Sequence, residues 1–218
     1  MRRTVRWRAM RLLSYTALAA SAALIAVSVL MFLFGIWGAY TANANALIGL
    51  ELLFLFSVFS YMLSKYRNPH AVAKALGLSK KAISLRALAL AAVLFLAIVG
   101  LEFGLAAFSA ATKIPLPTNV AEAFAGLPAY FIAFTVFVSP VCEETLFRGF
   151  MVPRIGILAS ALVFAAVHLG YASIAEFVGA FVFGLAAGYV FKRNKSLYAT
   201  IVAHGAVNAL GIVALIMH

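Results

Sequence analysis

The chain has 218 residues, of which 66% are hydrophobic and only 11% are charged. A soluble domain is typically about half apolar and a quarter charged, so this composition excludes an ordinary soluble protein. The net charge of +11 also occurs among nucleic-acid-binding proteins, but here the basic residues lie between long apolar runs. The sequence therefore predicts a protein of the lipid bilayer, with no nucleic-acid partner.

Seven apolar segments are predicted to form helices. A helix needs about 20 residues to cross the ~30 Å hydrocarbon core, and no stretch shows the alternating pattern of a strand. The predicted fold class is all-α, a polytopic membrane bundle of about seven transmembrane helices. The segments are 12–40, 45–64, 87–111, 128–151, 155–170, 173–191 and 197–217.

The first segment resembles a secretory signal peptide, because arginines precede it and Ala42-Asn43-Ala44 follows it. Its apolar run of roughly 29 residues is too long for the 7–15 residues of such a signal, so an uncleaved helix is expected. The single cysteine, Cys142, excludes an intramolecular disulfide bond.

The distribution of basic residues predicts the orientation in the membrane. All of the 17 lysines and arginines except Lys113 fall on the cytoplasmic side if the N-terminus is cytoplasmic and the C-terminus is outside. This is the pattern that the positive-inside rule describes. The basic connection 65–86 is expected to be a solvated loop, the alternative being a short amphipathic helix at 71–78 resting on the inner leaflet.

The chain divides into two predicted parts. Residues 1–127 contain the N-terminal transmembrane helices and the basic cytoplasmic loop, and residues 128–217 contain four helices with nearly all interior polar groups. A non-helical external link is expected at 112–127. Glu51 and Glu102 in the first part have no partner at helical spacing, which favours a structural interpretation of both.

The polar residues of the fourth segment point to chemistry. Pro140 lacks an N–H group and is expected to kink the helix. Glu144 and Arg148 are four residues apart with the acid first, which is the favoured order for an ion pair on one helix face. Glu143 is rotated about 100° from Glu144 and remains available as a base. A carboxylate at membrane depth costs several kcal/mol, so it indicates function by default.

Two later segments carry the other interior polar groups, His168, His204 and Asn208. At ~1.5 Å per residue, Glu143 and His204 lie about 12 Å and about 10 Å from the cytoplasmic ends of their segments. His168 comes out deeper, at about 18 Å. The depths are compatible with one shared cavity. The alternative is that each group is a buried polar residue that bridges two helices.

Three motifs in this order carry a family resemblance. They are Glu-Glu-Thr-Leu-Phe-Arg-Gly at 143–149, Phe-Ala-Ala-Val-His at 164–168 and His-Gly-Ala-Val-Asn at 204–208. They resemble the motifs of the CAAX protease and bacteriocin-processing family, the type II CAAX-type intramembrane endopeptidases often called Abi proteins. The resemblance covers about residues 128–217.

The resemblance implies proteolysis inside the membrane, with a peptide or a membrane protein as substrate. Glu143 would activate a water molecule for attack on the scissile carbonyl, and His168 would assist. His204 and Asn208 would stabilise the oxyanion. A desolvated carboxylate is a good base, and fixed donors in a dry cavity stabilise a developing negative charge.

The same resemblance gives Glu144 and Arg148 the role of holding the first motif in place. It leaves the cofactor open, because the family has been classed as metalloproteases and has also been argued to use glutamate and histidine alone. Two histidines and a glutamate are zinc ligands in metallopeptidases, but the H-E-x-x-H helix is absent here. The sequence slightly favours the metal-free mechanism over a Zn²⁺ site.

Two other functions remain open at the level of sequence. One is a non-catalytic immunity or scaffold protein with the same fold, which the complete motifs disfavour. The other is a transporter that uses Glu143 and the histidines as a proton relay. Against this, the two halves show no matching interrupted helices of the kind that inverted repeats contain.

Overall fold

The computed structural model describes residues 2–33, 44–114, 127–169 and 173–217. These residues contain no β-strand, and the all-α class is confirmed. The helices are α1 (Arg2–Leu33), α2 (Ala44–Tyr66), α3 (Pro69–Ala75), α4 (Leu85–Thr112), α5 (Ala129–Phe137), α6 (Ser139–Glu144), a π-helix (Thr145–Met151), α7 (Val152–His168), α8 (Ile174–Asn194) and α9 (Leu197–Ile216). The end of the predicted first segment, the link from 115 to 126 and His218 lie outside the described residues.

Within the described residues, six helical runs are long and apolar enough to cross a membrane, and one of them, Ala129–His168, has 40 residues. This run contains two antiparallel helices, because Gly156 has φ 86° and ψ 171° and reverses the chain. Across the reversal, Ser160 Oγ donates a hydrogen bond of 2.7 Å to the carbonyl of Phe147. These residues would be about 20 Å apart along a continuous helix. The multi-pass helical architecture is therefore as predicted.

The first half of this hairpin is interrupted twice. The predicted kink is present, since α5 ends at Phe137 and α6 begins at Ser139, next to Pro140. The second interruption was not predicted: residues Thr145–Met151 form a π-helix, in which the N–H of Val152 reaches back to the carbonyl of Phe147. Such π-turns are rare and occur frequently at functional sites.

The connection at 65–86 is exposed at both ends, but the expectation of a solvated loop is wrong for its middle, where the short helix α3 (Pro69–Ala75) forms. Val72 and Leu76 of this connection are only 1% and 0% exposed. The N–H of Leu197, the first residue of α9, donates to the carbonyl of Gly77 at 3.1 Å. Gly77 has φ 76°, and a Cβ there would lie 2.7 Å from the carbonyl oxygen of Lys195. The connection is thus docked against the bundle because apolar side chains and backbone donors hold it there.

Glycines set the closest helix contacts. A Cβ at Gly184 of α8 would lie 2.9 Å from the Cβ of Ala161 in α7, and one at Gly188 would also clash with α7. A Cβ at Gly205 of α9 would lie 2.8 Å from a backbone carbonyl of α5. By contrast, Gly179 has nothing within 4 Å. The close packing of α8 and α9 against the hairpin therefore depends on Gly184, Gly188 and Gly205, and not on Gly179.

Candidate active site

The two adjacent glutamates follow the break between α5 and α6, and both are buried. The predicted ion pair is present: Glu144 Oε1 lies 2.9 Å from Arg148 Nη1, with the side chains 0% and 1% exposed. Glu143 points elsewhere and does not share this partner. The neighbours along the chain thus have different surroundings.

Arg148 was counted with the basic residues of the cytoplasmic side, but it is buried inside the bundle. Its guanidinium lies 4.1 Å from the ring centroid of Phe164 and 5.1 Å from that of Phe183. Aromatic faces attract a guanidinium, and they do so more strongly when it is desolvated. Arg148 is therefore held by one carboxylate and two rings.

His204 of α9 connects the two glutamates. Its Nδ1 lies 3.0 Å from Glu144 Oε1, and its Nε2 lies 3.7 Å from Glu143 Oε2. Because Glu144 is the anionic partner of Arg148, it accepts, and Nδ1 carries the proton in this contact. This contact fixes the orientation and the tautomer of the ring. The other ring nitrogen, Nε2, faces Glu143. The residues form a chain in the order Arg148, Glu144, His204, Glu143.

His168 is oriented by its own helix. Its Nδ1 lies 2.9 Å from the carbonyl oxygen of Phe164, one turn earlier, and the two rings are 4.5 Å apart. A carbonyl only accepts hydrogen bonds, so the proton is on Nδ1 and the lone pair is on Nε2. His168 and His204 thus differ in what holds them, a backbone carbonyl in one case and a carboxylate in the other.

The hairpin removes the apparent difference in depth between Glu143 and His168. The first helix was predicted to end at Met151, but it continues to the reversal at Gly156. Glu143 and His168 then lie 13 and 12 residues from Gly156, which places both about 18–20 Å from the turn.

His204 reaches the same level because α9 begins higher in the bundle than the hairpin turn. A Cβ at Gly149 would lie 3.1 Å from Leu197 Cδ1, so Leu197 is level with Gly149. This start is about 10 Å above the turn, and His204 lies about 10 Å further along α9. All three groups therefore meet at one depth.

Asn208 lies one turn after His204 and contacts the interrupted part of the hairpin. Its Nδ2 donates to the carbonyl of Thr135 at 2.9 Å. The helix break before Pro140 leaves carbonyls of α5 without their usual partners, and Asn208 satisfies one of them. An amide nitrogen has two hydrogens, so one donor is used in this contact.

A cavity of about 150 Å³ brings four of the six predicted residues together: Glu143, His168, His204 and Asn208 line it. Glu144 and Arg148 lie behind this wall and do not line it. At about 30 Å³ per molecule, the volume corresponds to about five waters. Its lining includes carboxylate, imidazole and amide groups, which are able to hydrogen-bond water.

Sequence reasoning missed the role of three further carboxylates, Glu51, Glu102 and Glu176, which line the same cavity. Each is three or four residues from a buried residue of its helix, although Glu102 itself is exposed and the other two are half-buried. Glu51 is three residues before buried Phe54, Glu102 is four after buried Ile98, and Glu176 is four before buried Ala180. Spacings of three and four share a helix face, so this signal was present in the sequence.

The cavity also lies in the half of the bundle away from the basic connections. Its lining includes Leu47 near the start of α2, Phe131 near the start of α5 and Leu215 near the end of α9. The opposite half is filled by the docked connection, with Leu76 and Leu197 fully buried. The cavity is therefore nearer the end of the bundle opposite the basic loops.

Among the residues that the structure describes, no group of three His, Cys, Asp or Glu side chains is placed to hold a metal ion. This finding concerns the placement of the side chains and not the Nδ1 contacts of His204 and His168, because a metal-bound histidine usually donates its other ring N–H in the same way. The residues in this arrangement do not fit the Zn²⁺ site that was weighed from the sequence.

The fold and the site define a multi-pass membrane protein with a buried site of carboxylate, imidazole and amide groups. Residues 124–210 match the family model described as "Type II CAAX prenyl endopeptidase Rce1-like". The resemblance to the CAAX protease family is thereby confirmed over this part of the chain, which holds all three motifs. No curated protein matches the chain, and no solved structure does.

Proposed function

We propose that the protein is an intramembrane endopeptidase that cleaves a peptide bond of a peptide or a membrane-attached protein, in CAAX-type or bacteriocin-type processing. The observation that carries the proposal is the Glu143–His204 pair, 3.7 Å apart at the wall of a cavity that His168 also lines. The family match over residues 124–210 supports the same reaction.

In the proposed reaction, Glu143 takes a proton from a water molecule as the water oxygen attacks the scissile carbonyl carbon. His168 accepts a hydrogen bond from this water through the lone pair on Nε2 and so orients it. Glu143 then delivers the proton to the leaving nitrogen as the C–N bond breaks, which yields a carboxylic acid and an amine. General acid–base catalysis of this kind contributes about 10²–10⁴-fold.

His204 and Asn208 face the developing oxyanion in this proposal. When His204 Nε2 carries a proton, the ring is an imidazolium whose charge Glu144 stabilises at 3.0 Å. The second hydrogen of Asn208 Nδ2 is the other candidate donor, because the first is bound to Thr135. Donors that are fixed before the reaction stabilise the transition state without reorganisation.

The test is Glu143→Gln, which keeps the shape of the side chain but removes its ability to take a proton. We expect a loss on the order of 10²–10⁴ in rate, with unchanged yield and melting temperature. The measurement compares membrane peptides from cells that express wild type or the variant, followed by turnover of the peptides so identified in liposomes. Turnover at the wild-type rate by the variant would refute the assignment of Glu143. Identical peptide profiles would refute the endopeptidase.

A further inference from the structure

The acidic residues of this chain are concentrated around the cavity. The sequence has only six aspartates and glutamates, and Glu51, Glu102, Glu143 and Glu176 all line the cavity. Among the described residues, no lysine or arginine lines it. The cationic group nearest to the catalytic pair, Arg148, is already paired with Glu144.

The carboxylates come from four different helices, α2, α4, α6 and α8, which surround the cavity. All four line one cavity of about 150 Å³, so they lie within a small volume. Like charges within such a volume raise the free energy of the empty cavity, and a bound cation would lower it. A cavity walled by one sign of charge also attracts the opposite charge from a distance.

The Glu143 side chain provides a second and independent indication of a ligand. Glu143 is 7% exposed, and its Oε2 has no hydrogen-bond partner among the described residues. The distance of 3.7 Å to His204 Nε2 is longer than a hydrogen bond. A buried polar atom without a partner costs free energy, so this oxygen is placed to receive a donor from a bound molecule.

We infer that the cavity binds the positively charged side chain of a lysine or arginine residue of the substrate. The inference rests on the proposed function, because the charged residue then lies next to the bond that Glu143 attacks. A volume of about 150 Å³ suits one side chain, since cavities of this size accept benzene-sized ligands. Lysine and arginine carry their charge on a long apolar stem, which suits a lining of carboxylates and apolar side chains.

The test measures binding separately from cleavage. The probes are two fluorescein-labelled decapeptides of alanine and leucine, identical except for a central lysine in one and norleucine in the other. Anisotropy is measured with the full chain in nanodiscs, carrying His168→Ala, which removes the group proposed to orient the attacking water and keeps Glu143 and the other carboxylates of the cavity. We expect the lysine peptide to bind about tenfold more tightly, and Glu102→Gln with Glu176→Gln to reduce this ratio to near one.

Lys192→Gln is the matched control, because Lys192 is exposed and lies outside the cavity. It should leave the tenfold ratio unchanged. Equal binding of the two peptides, binding of neither, or an equal loss of preference in the control would overturn the inference. Wild-type cleavage of the same peptides separates the two proposals: selective binding without cleavage contradicts the endopeptidase alone, and cleavage without selectivity contradicts the cationic substrate alone.

Discussion

Glu143 and Glu144 are chemically identical neighbours, but their side chains have different contacts. Glu144 binds a guanidinium at 2.9 Å and an imidazole at 3.0 Å, so it is committed to positioning other groups. Glu143 lines the cavity, and Glu144 does not. The proposed function therefore assigns a structural role to Glu144 and a reactive role to Glu143.

Arg148→Ala tests the structural half of this division. The substitution leaves the Glu144 carboxylate buried without its cationic partner, and removing one member of a buried pair costs roughly 3–5 kcal/mol. We expect a lower melting temperature in detergent, a lower yield and a loss of activity. Activity falls because Arg148 no longer holds Glu144, the carboxylate that orients His204.

The matched control is Arg154→Ala, on the same hairpin. Arg154 is exposed and its guanidinium lies 3.8 Å from the ring centroid of Phe150. Exposed contacts of this kind contribute about 1 kcal/mol or less. The positioning role of Arg148 would be untenable if both variants melted at the same temperature.

At this scale, much of the site could be predicted from the sequence. The pairing of Glu144 with Arg148 follows from helical spacing alone, and it is present in the structure. The contact between His204 and Glu144 joins residues 60 positions apart, and no local pattern encodes it. Glu51 and Glu102 were set aside because a search for partners within one helix cannot find a partner on another.

At the scale of elements, the hairpin between Ala129 and His168 decides the geometry of the site. The break at Pro140 was predictable, because the missing N–H of proline is a local property of the sequence. The π-helix from Thr145 to Met151 was not predictable, since it depends on packing around Arg148 and Phe147. The exact position of the reversal was missed as well, because Pro153 and Arg154 favoured a break before Ile155, whereas the chain reverses at Gly156.

Gly184→Ala tests the close packing of α8 against α7. The new methyl group would lie 2.9 Å from the Cβ of Ala161 and 3.0 Å from its Cα, and the backbone cannot yield cheaply. Overpacking of this kind costs about 1–3 kcal/mol. We expect a lower melting temperature, with reduced activity because α7 carries His168.

Gly179→Ala, on the same helix, is the matched control, because nothing lies within 4 Å of its added Cβ. Alanine is favoured over glycine inside a helix by up to about 1 kcal/mol, so its melting temperature should be unchanged or higher. Equal destabilisation of the two variants would mean that the loss comes from the helix itself and not from its contact with α7.

At the scale of the whole molecule, the charges are separated along the bundle. The basic connections lie at one end, where residues 69–78 dock and close the helices, and the acid-lined cavity lies towards the other. The positive-inside rule assigns the basic end to the cytoplasm. The division into parts at 127 and 128 stays a prediction, although both parts contribute carboxylates to the cavity.

Orientation and access are tested together by single cysteines in a Cys142→Ala background. Lys192 lies at the basic end, Lys113 follows α4 at the opposite end, and both are exposed. Gly211 lines the cavity and has open space around an added Cβ. With the N-terminus in the cytoplasm, a membrane-impermeant maleimide on intact cells should label Lys113→Cys and, more slowly, Gly211→Cys. Lys192→Cys should react only after permeabilisation.

The two conclusions fail separately in this experiment. Labelling of Lys192→Cys on intact cells would reverse the orientation. Labelling of Gly211→Cys from the same side as Lys192→Cys would instead mean that the cavity opens towards the basic end of the bundle. Polar groups at this depth need water, because lipid offers them no hydrogen bonds, so a reagent that is dissolved in water must reach Gly211→Cys from one face or the other.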